Sequence, residues 1–175
     1  VVVTPKYEEV GDFGENGLAH VTLGGKMGFI NNQYVEVIAP EYDAVGEFKL
    51  GIAQVEKEGL KGFVDINGGK VTELKYQEIG EWADGLALVK AGDLYGYLDL
   101  KYDEIIPVIY QEISAFSEGI AWVKLDGKWG LIEQNGRGIT PNRYTSMSEF
   151  TEGIALVSVD DQWGYINRPG VEVVL

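Results

Sequence analysis

The chain has 175 residues, of which 28 are Asp or Glu and 14 are Lys or Arg, for a net charge of −14. That field repels phosphate backbones and anionic lipid, which excludes nucleic acid and electrostatic membrane binding. The absence of Cys removes disulfides, thiolate metal sites and thiol catalysis together.

Val1 opens on VVVTP, with neither a basic start nor an apolar core, so no signal peptide is predicted in this chain. No apolar run approaches the roughly 18–20 residues of a membrane-spanning helix, and no membrane insertion is expected. From Gly17 onward one frame recurs: GLAHVTLGGKMG at Gly17, GIAQVEKEGLKG at Gly51, GLALVKAGDLYG at Gly85, GIAWVKLDGKWG at Gly119 and GIALVSVDDQWG at Gly153. The closing glycines Gly28, Gly62, Gly96, Gly130 and Gly164 are 34 residues apart, as are the opening ones. A strict period of that size marks a repeat architecture, and a unit of that size cannot bury a core alone, so neighbours must supply the missing half.

Each repeat has three parts. The first runs from a tyrosine (Tyr7, Tyr42, Tyr76, Tyr110, Tyr144) to an aromatic six residues on (Phe13, Phe48, Trp82, Phe116, Phe150). The recurrence of a large ring there places Trp82 in the core. The second part is a hairpin, covering 17–30, 51–64, 85–98, 119–132 and 153–166. Its central pairs, Gly24-Gly25, Glu58-Gly59, Gly92-Asp93, Asp126-Gly127 and Asp160-Asp161, are rich in residues that tolerate the positive φ of two-residue turns. With Asp126-Gly127 as the turn, Val123 lies opposite Gly130 and Ala121 opposite Ile132, so these four share one face. The equivalent residues are small and apolar in every repeat, which assigns that face to the core. The other face varies: His20, Gln54, Leu88, Trp122 and Leu156 on the first strand, and Met27, Lys61, Tyr95, Trp129 and Trp163 on the second. It is read as partly covered, with these two columns nearer solvent.

The third part returns through a turn opened by Asn or an acid, followed by a short apolar strand at Val35–Ala39, Ile105–Val108 and Val171–Leu175. Pro5, Pro40, Pro107 and Pro141 demote that segment to an edge or a bend. Helical periodicity is absent throughout.

With GIAWVKLDGKWGLIEQNG and GIALVSVDDQWGYINRPG read, the chain resembles the WG-repeat proteins, also called KWG repeats, which are common in bacteria. The resemblance covers essentially the whole chain and is strongest where the Trp-Gly pair is intact, at Trp129-Gly130 and Trp163-Gly164. Met27, Lys61 and Tyr95 replace the tryptophan in the first three repeats. The resemblance implies a β-rich array acting as an interaction scaffold, with no active site.

Chemical motifs are sparse. The lone His20 has no partner Cys or second His. Asp160-Asp161 and the pair Asp99 and Asp103 offer paired carboxylates, yet turn geometry already accounts for them. The calcium-loop pattern DxDxDG with its closing Glu is missing, as are GxGxxG and GxxxxGKS. No catalytic residue, metal or cofactor is therefore assigned. What remains is aromatic: Trp122, Trp129, Trp163 and Tyr95, with His20, are the candidate contacts to a partner, and the five closing glycines are structural.

The reading is an all-β tandem array of five three-stranded antiparallel units over 1–175, an open superhelix in preference to a closed five-bladed ring. Val1–Thr4 repeats the phase of Glu172–Leu175, and the two would compete for one slot in a ring. The expected function is a non-catalytic scaffold for protein–protein interaction. The alternative is a glycan-binding module that stacks sugars on Trp122, Trp129 and Trp163.

Overall fold

In the computed structural model, which describes residues 6–168 and 170–173, eighteen short strands form five antiparallel sheets, one per repeat, and the described residues contain no helix. The first repeat holds β1 (Glu9–Val10), β2 (Leu18–Leu23), β3 (Lys26–Asn31) and β4 (Glu36–Tyr42). The second holds β5 (Ala44–Val45), β6 (Ile52–Lys57) and β7 (Leu60–Asp65). In the third are β8 (Glu78–Ala83), β9 (Leu86–Ala91), β10 (Leu94–Asp99) and β11 (Glu104–Tyr110). The fourth has β12 (Glu112–Ile113), β13 (Ile120–Leu125) and β14 (Lys128–Glu133); the fifth has β15 (Ser146–Met147), β16 (Ile154–Val159), β17 (Gln162–Asn167) and β18 (Glu172–Val173). Strands follow sequence order within every sheet, as a meander must. The chain divides into two compact units, Val1–Ile79 and Gly80–Leu175.

The hairpins close in the expected register. Val21, Val55, Val89, Val123 and Val157 lie opposite Gly28, Gly62, Gly96, Gly130 and Gly164. Both central turn residues have positive φ in four hairpins, including Asp160 and Asp161, while the third has it at Gly92 but not at Asp93. Alternation then sends Ala19, Val21 and Ile30, and their counterparts in every repeat, to a buried face.

Within each unit that face packs on the repeat before it. In the second unit Ala121, Val123 and Ile132 meet Tyr97, Ile105 and Ile106 of the third repeat, and Ala155, Val157 and Ile166 meet Trp122, Leu131 and Tyr144 of the fourth. In the first unit Val55 and Val64 meet Phe29, Ile38 and Tyr42. Within each unit a following repeat thus covers its predecessor's variable face, and it is there that the core lies.

The number of strands departs from the expected three. A short strand after each tyrosine joins the hairpin, so the first, third and fifth repeats, which also have a return strand, contain four. The return strands, Glu36–Tyr42 and Glu104–Tyr110, start within one residue of the expected Val35 and Ile105 but run on past Ala39 and Val108, and each carries its proline on the sheet edge, with the register slipping around it. Val1–Thr4, Pro5, Val174 and Leu175 lie outside the described residues.

The second and fourth repeats return differently. Isolated bridges Lys61↔Tyr76, Val64↔Lys70, Trp129↔Tyr144 and Ile132↔Gly138 replace the strand. At the position of Ile38 and Ile106 these repeats have Thr72 and Thr140, whose hydroxyls accept the Phe63 and Leu131 amides at 3.0 and 2.9 Å. The side chain does here what a strand carbonyl does elsewhere. Thr140→Val keeps the shape and strands a part-buried N–H, so it is expected to cost about 1–3 kcal/mol in urea unfolding.

A further column caps the hairpin turns. In the first, second and fourth repeats the residue after the column tyrosine reaches to the turn of the hairpin that follows it. Glu8 accepts from Gly24 and Gly25 at 3.1 and 3.2 Å, Asp43 from Glu58 at 2.7 Å, and the Gln111 carbonyl from Gly127 at 2.8 Å. Asp43 also pairs with Lys26, and that hydrogen bond, followed by the Glu58 amide, holds its carboxyl below the usual carboxylate range. A depressed value stabilises the fold above the ordinary range, and the contribution is lost as pH falls through the folded value. Between about pH 5 and pH 3 the melting temperature of Asp43→Asn should therefore fall less steeply than that of the parent.

Candidate functional site

Where one repeat meets the next, the variable column decides how completely the seam closes. In the first unit it stays open. An open groove of about 860 Å³ runs between the first two repeats, walled by Leu18, His20, Met27 and Phe29 on one side and by Val45, Phe48 and Ile66 on the other. Phe29 and Phe48 meet edge to face at 5.3 Å. His20 does not fill the space because its ring folds over Gly11, where an added Cβ would lie 2.0 Å from its Cε1.

The rim of this groove carries Asp12, Glu15 and Glu47, all exposed, and Leu50. Leu50 is fully exposed with φ +51, a backbone region costly for a side chain with a Cβ. Its counterparts before the opening glycine are Asn16, Asp84, Glu118 and Glu152. Only here does that position carry a hydrocarbon.

In the second unit the same seam, between the fourth and fifth repeats, is largely filled. Trp122 stands in the column of His20, 4% exposed, stacked on Phe150 at 5.7 Å and edge-on to Tyr144 at 6.2 Å. Arg168 stands in the column of Ile66, with its guanidinium 4.9 Å from the Phe150 ring centre, its Nη2 donating to Ser117 Oγ at 3.3 Å, and an ion pair to Glu118. The cleft that remains is about 240 Å³.

The predicted contact residues do not gather on one surface. His20 lines the groove of the first unit, with Met27 from the tryptophan column beside it. Trp122, read as near solvent, is core instead, because the fifth repeat covers the face it stands on. Trp129 is half-buried with Lys124 Nζ 5.2 Å over its ring, and Tyr95 is half-buried with Lys90 Nζ at 5.5 Å. Trp163 alone among them is open, at 61% exposure. Trp82, expected in the core, is 37% exposed and edge-on to Tyr102 at 5.6 Å. Gly28, Gly62, Gly96 and Gly130 are buried where the return segment crosses them.

Asp99 Oδ1 accepts the amides of Lys101 and Asp103 at 2.8 and 3.0 Å, as a turn-opening aspartate does. Among the described residues no three His, Asp or Glu side chains converge closely enough to hold a metal ion. Sequence reasoning missed the rim carboxylates and Leu50. The signal for Leu50 was present, as the one apolar residue in an otherwise polar column.

A family model described as "WG containing repeat" matches residues 1–26, 27–60, 62–95, 95–129 and 129–163. No curated protein matches the chain. Solved structures similar to it include Hsv2 of Kluyveromyces lactis, at 11% identity and a TM-score of 0.39, over 93% of this chain and 60% of that one. Another is PorZ of Porphyromonas gingivalis, a bacterial surface component of the type-IX secretion system, at 10% identity and a TM-score of 0.34, over 97% of this chain and 26% of that one. The chain thus spans about three fifths of the Hsv2 chain it matches.

Proposed function

Because the chain belongs to the WG-repeat family, we propose that it is a non-catalytic scaffold that holds a protein partner in the seams its repeats leave open. The observation that carries this reading is the groove of about 860 Å³ between the first and second repeats, at the position that Trp122 and Arg168 fill between the fourth and fifth. A repeat protein whose buried columns hardly vary keeps its freedom to specialise in the columns that line such seams. The exposed Leu50 at the rim, where the other repeats carry Asn, Asp or Glu, supports the same reading, since a partner would cover it.

A photo-crosslinking amino acid at Leu50, in the cells that make the protein, tests it. A saturable adduct of defined mass is expected at position 50, competed by unmodified protein and absent when the probe is at Asp93. A second reading, glycan binding, draws on Trp163 and Tyr165, both exposed and two residues apart on one face of β17. If position 50 gave no protein adduct while oligosaccharides shifted the tryptophan fluorescence saturably, the glycan reading would replace the scaffold reading.

A further inference from the structure

The walls of the first-unit groove are apolar and its charge is of one sign. Asp12, Glu15 and Glu47 line it, and no Lys or Arg does. Among the described residues these three carboxylates make no hydrogen bond or ion pair. Several other acidic side chains of the same unit are engaged: Glu36 with Lys6 and Tyr7, Glu41 with Lys57, Asp43 with Lys26, and Glu8 and Asp65 with backbone amides. Lys6, Lys26, Lys57 and Lys70 are thus held by carboxylates outside the groove, Lys49 stands between Glu47 and Leu50 in the chain without lining it, and the lining itself keeps an excess of negative charge on a chain that is at −14. Below the rim lie Phe29, Phe48, Met27 and Val45, with Leu50 standing free above them.

We propose that this groove binds a basic, amphipathic peptide segment of a partner, taking Lys or Arg side chains among Asp12, Glu15 and Glu47 while a neighbouring aliphatic side chain covers Phe48 and Leu50. The proposal rests on the scaffold reading and adds to it the chemistry of the occupant. A cation relieves the mutual repulsion of the three carboxylates, and the hydrocarbon beside it removes Leu50 and the groove wall from water. Charge sets the on-rate and the sign of the partner; the apolar contact sets the residence time.

The test uses the whole chain and a fluorescein-labelled peptide of alternating Lys and Leu, read by anisotropy, with Glu–Leu and Lys–Ser peptides of equal length and a neutral oligosaccharide as comparisons. The Lys–Leu peptide is expected to bind saturably and more weakly as salt rises, and the other probes at least about tenfold more weakly. The triple variant Asp12→Asn, Glu15→Gln, Glu47→Gln should weaken binding about tenfold or more, and Leu50→Asn about fivefold, each with an unchanged circular dichroism spectrum. Removing three exposed acids elsewhere, by Glu81→Gln, Asp93→Asn and Asp161→Asn, should change it by less than about twofold. Equal losses from the two triple variants would reduce the effect to net charge and overturn the proposal, as would equal binding of the Glu–Leu peptide or the oligosaccharide. If the Lys–Leu peptide does not bind while the Leu50 crosslink still forms, the basic segment is wrong and the scaffold reading stands. If neither occurs, both fall.

Discussion

Trp122→Ala should lower the unfolding free energy by about 3–5 kcal/mol, read as a lower urea midpoint by circular dichroism. The indole is 4% exposed, joins the fourth repeat to the fifth through Phe150 and packs edge-on to Tyr144, so truncation opens a cavity in the seam and removes both ring contacts. Its Nε1–H is buried and donates to nothing among the described residues. Trp122→Phe, which deletes that donor and keeps a ring against Phe150, should therefore cost well under half as much, within about 1.5 kcal/mol. Equal losses from the two variants would show that the stacking is not what holds the seam. Trp163→Ala, at an exposed site, should stay within about 0.5 kcal/mol.

The second large effect is expected at Gly96. An alanine Cβ there would lie 2.5 Å from the Ile106 carbonyl oxygen and 2.9 Å from the Pro107 carbonyl carbon, both backbone atoms of the return strand. Backbone cannot turn aside as a side chain can, so Gly96→Ala should cost about 3 kcal/mol despite replacing glycine within a strand. At Gly130 the backbone is farther off, the Thr140 carbonyl oxygen lying at 3.1 Å, and the nearest obstacle is the side-chain amide of Asn142, with Nδ2 at 3.0 Å. That amide can yield, losing its bonds to the carbonyls of Val123 and Lys128, and Gly130→Ala should cost about 1 kcal/mol. Midpoints that fall equally in the two variants would defeat the ranking. The register that pairs Val123 with Gly130 is as the sequence predicts. The crowding, however, comes from the return segment rather than from Val123 across the hairpin.

These two sites also mark how far sequence reasoning reached. The hairpins were legible because a two-residue turn fixes register, and register fixes which side chains share a face. The small apolar columns could then be assigned to the core without knowing what covered them. The variable columns could not, since their burial depends on the next repeat: Trp122 is covered by Phe150, 28 residues on in the chain. The groove was hidden for the same reason, as its two walls come from different repeats and its volume depends on a histidine folding over Gly11. Thr72 and Thr140 were overlooked because Thr and Ile are both β-branched and both suit a strand, while only the hydroxyl can substitute for one.

The turn that opens each return segment also decides how closely one repeat can approach the next. In the second and fourth repeats Gly68 and Gly136 occupy positive φ, and a Cβ on either would run into the Val37 or Ile105 carbonyl of the strand before it. The first and third repeats place Tyr34 and Tyr102 at that same point of the turn. The fifth repeat has Gly170 there, also at positive φ, where a Cβ would meet Ile139 and Thr140 of the fourth. Glycine at this point therefore marks a repeat that is laid on the one before it within its unit, whatever its place in the count, and it leaves that turn room to reach the neighbour's return segment.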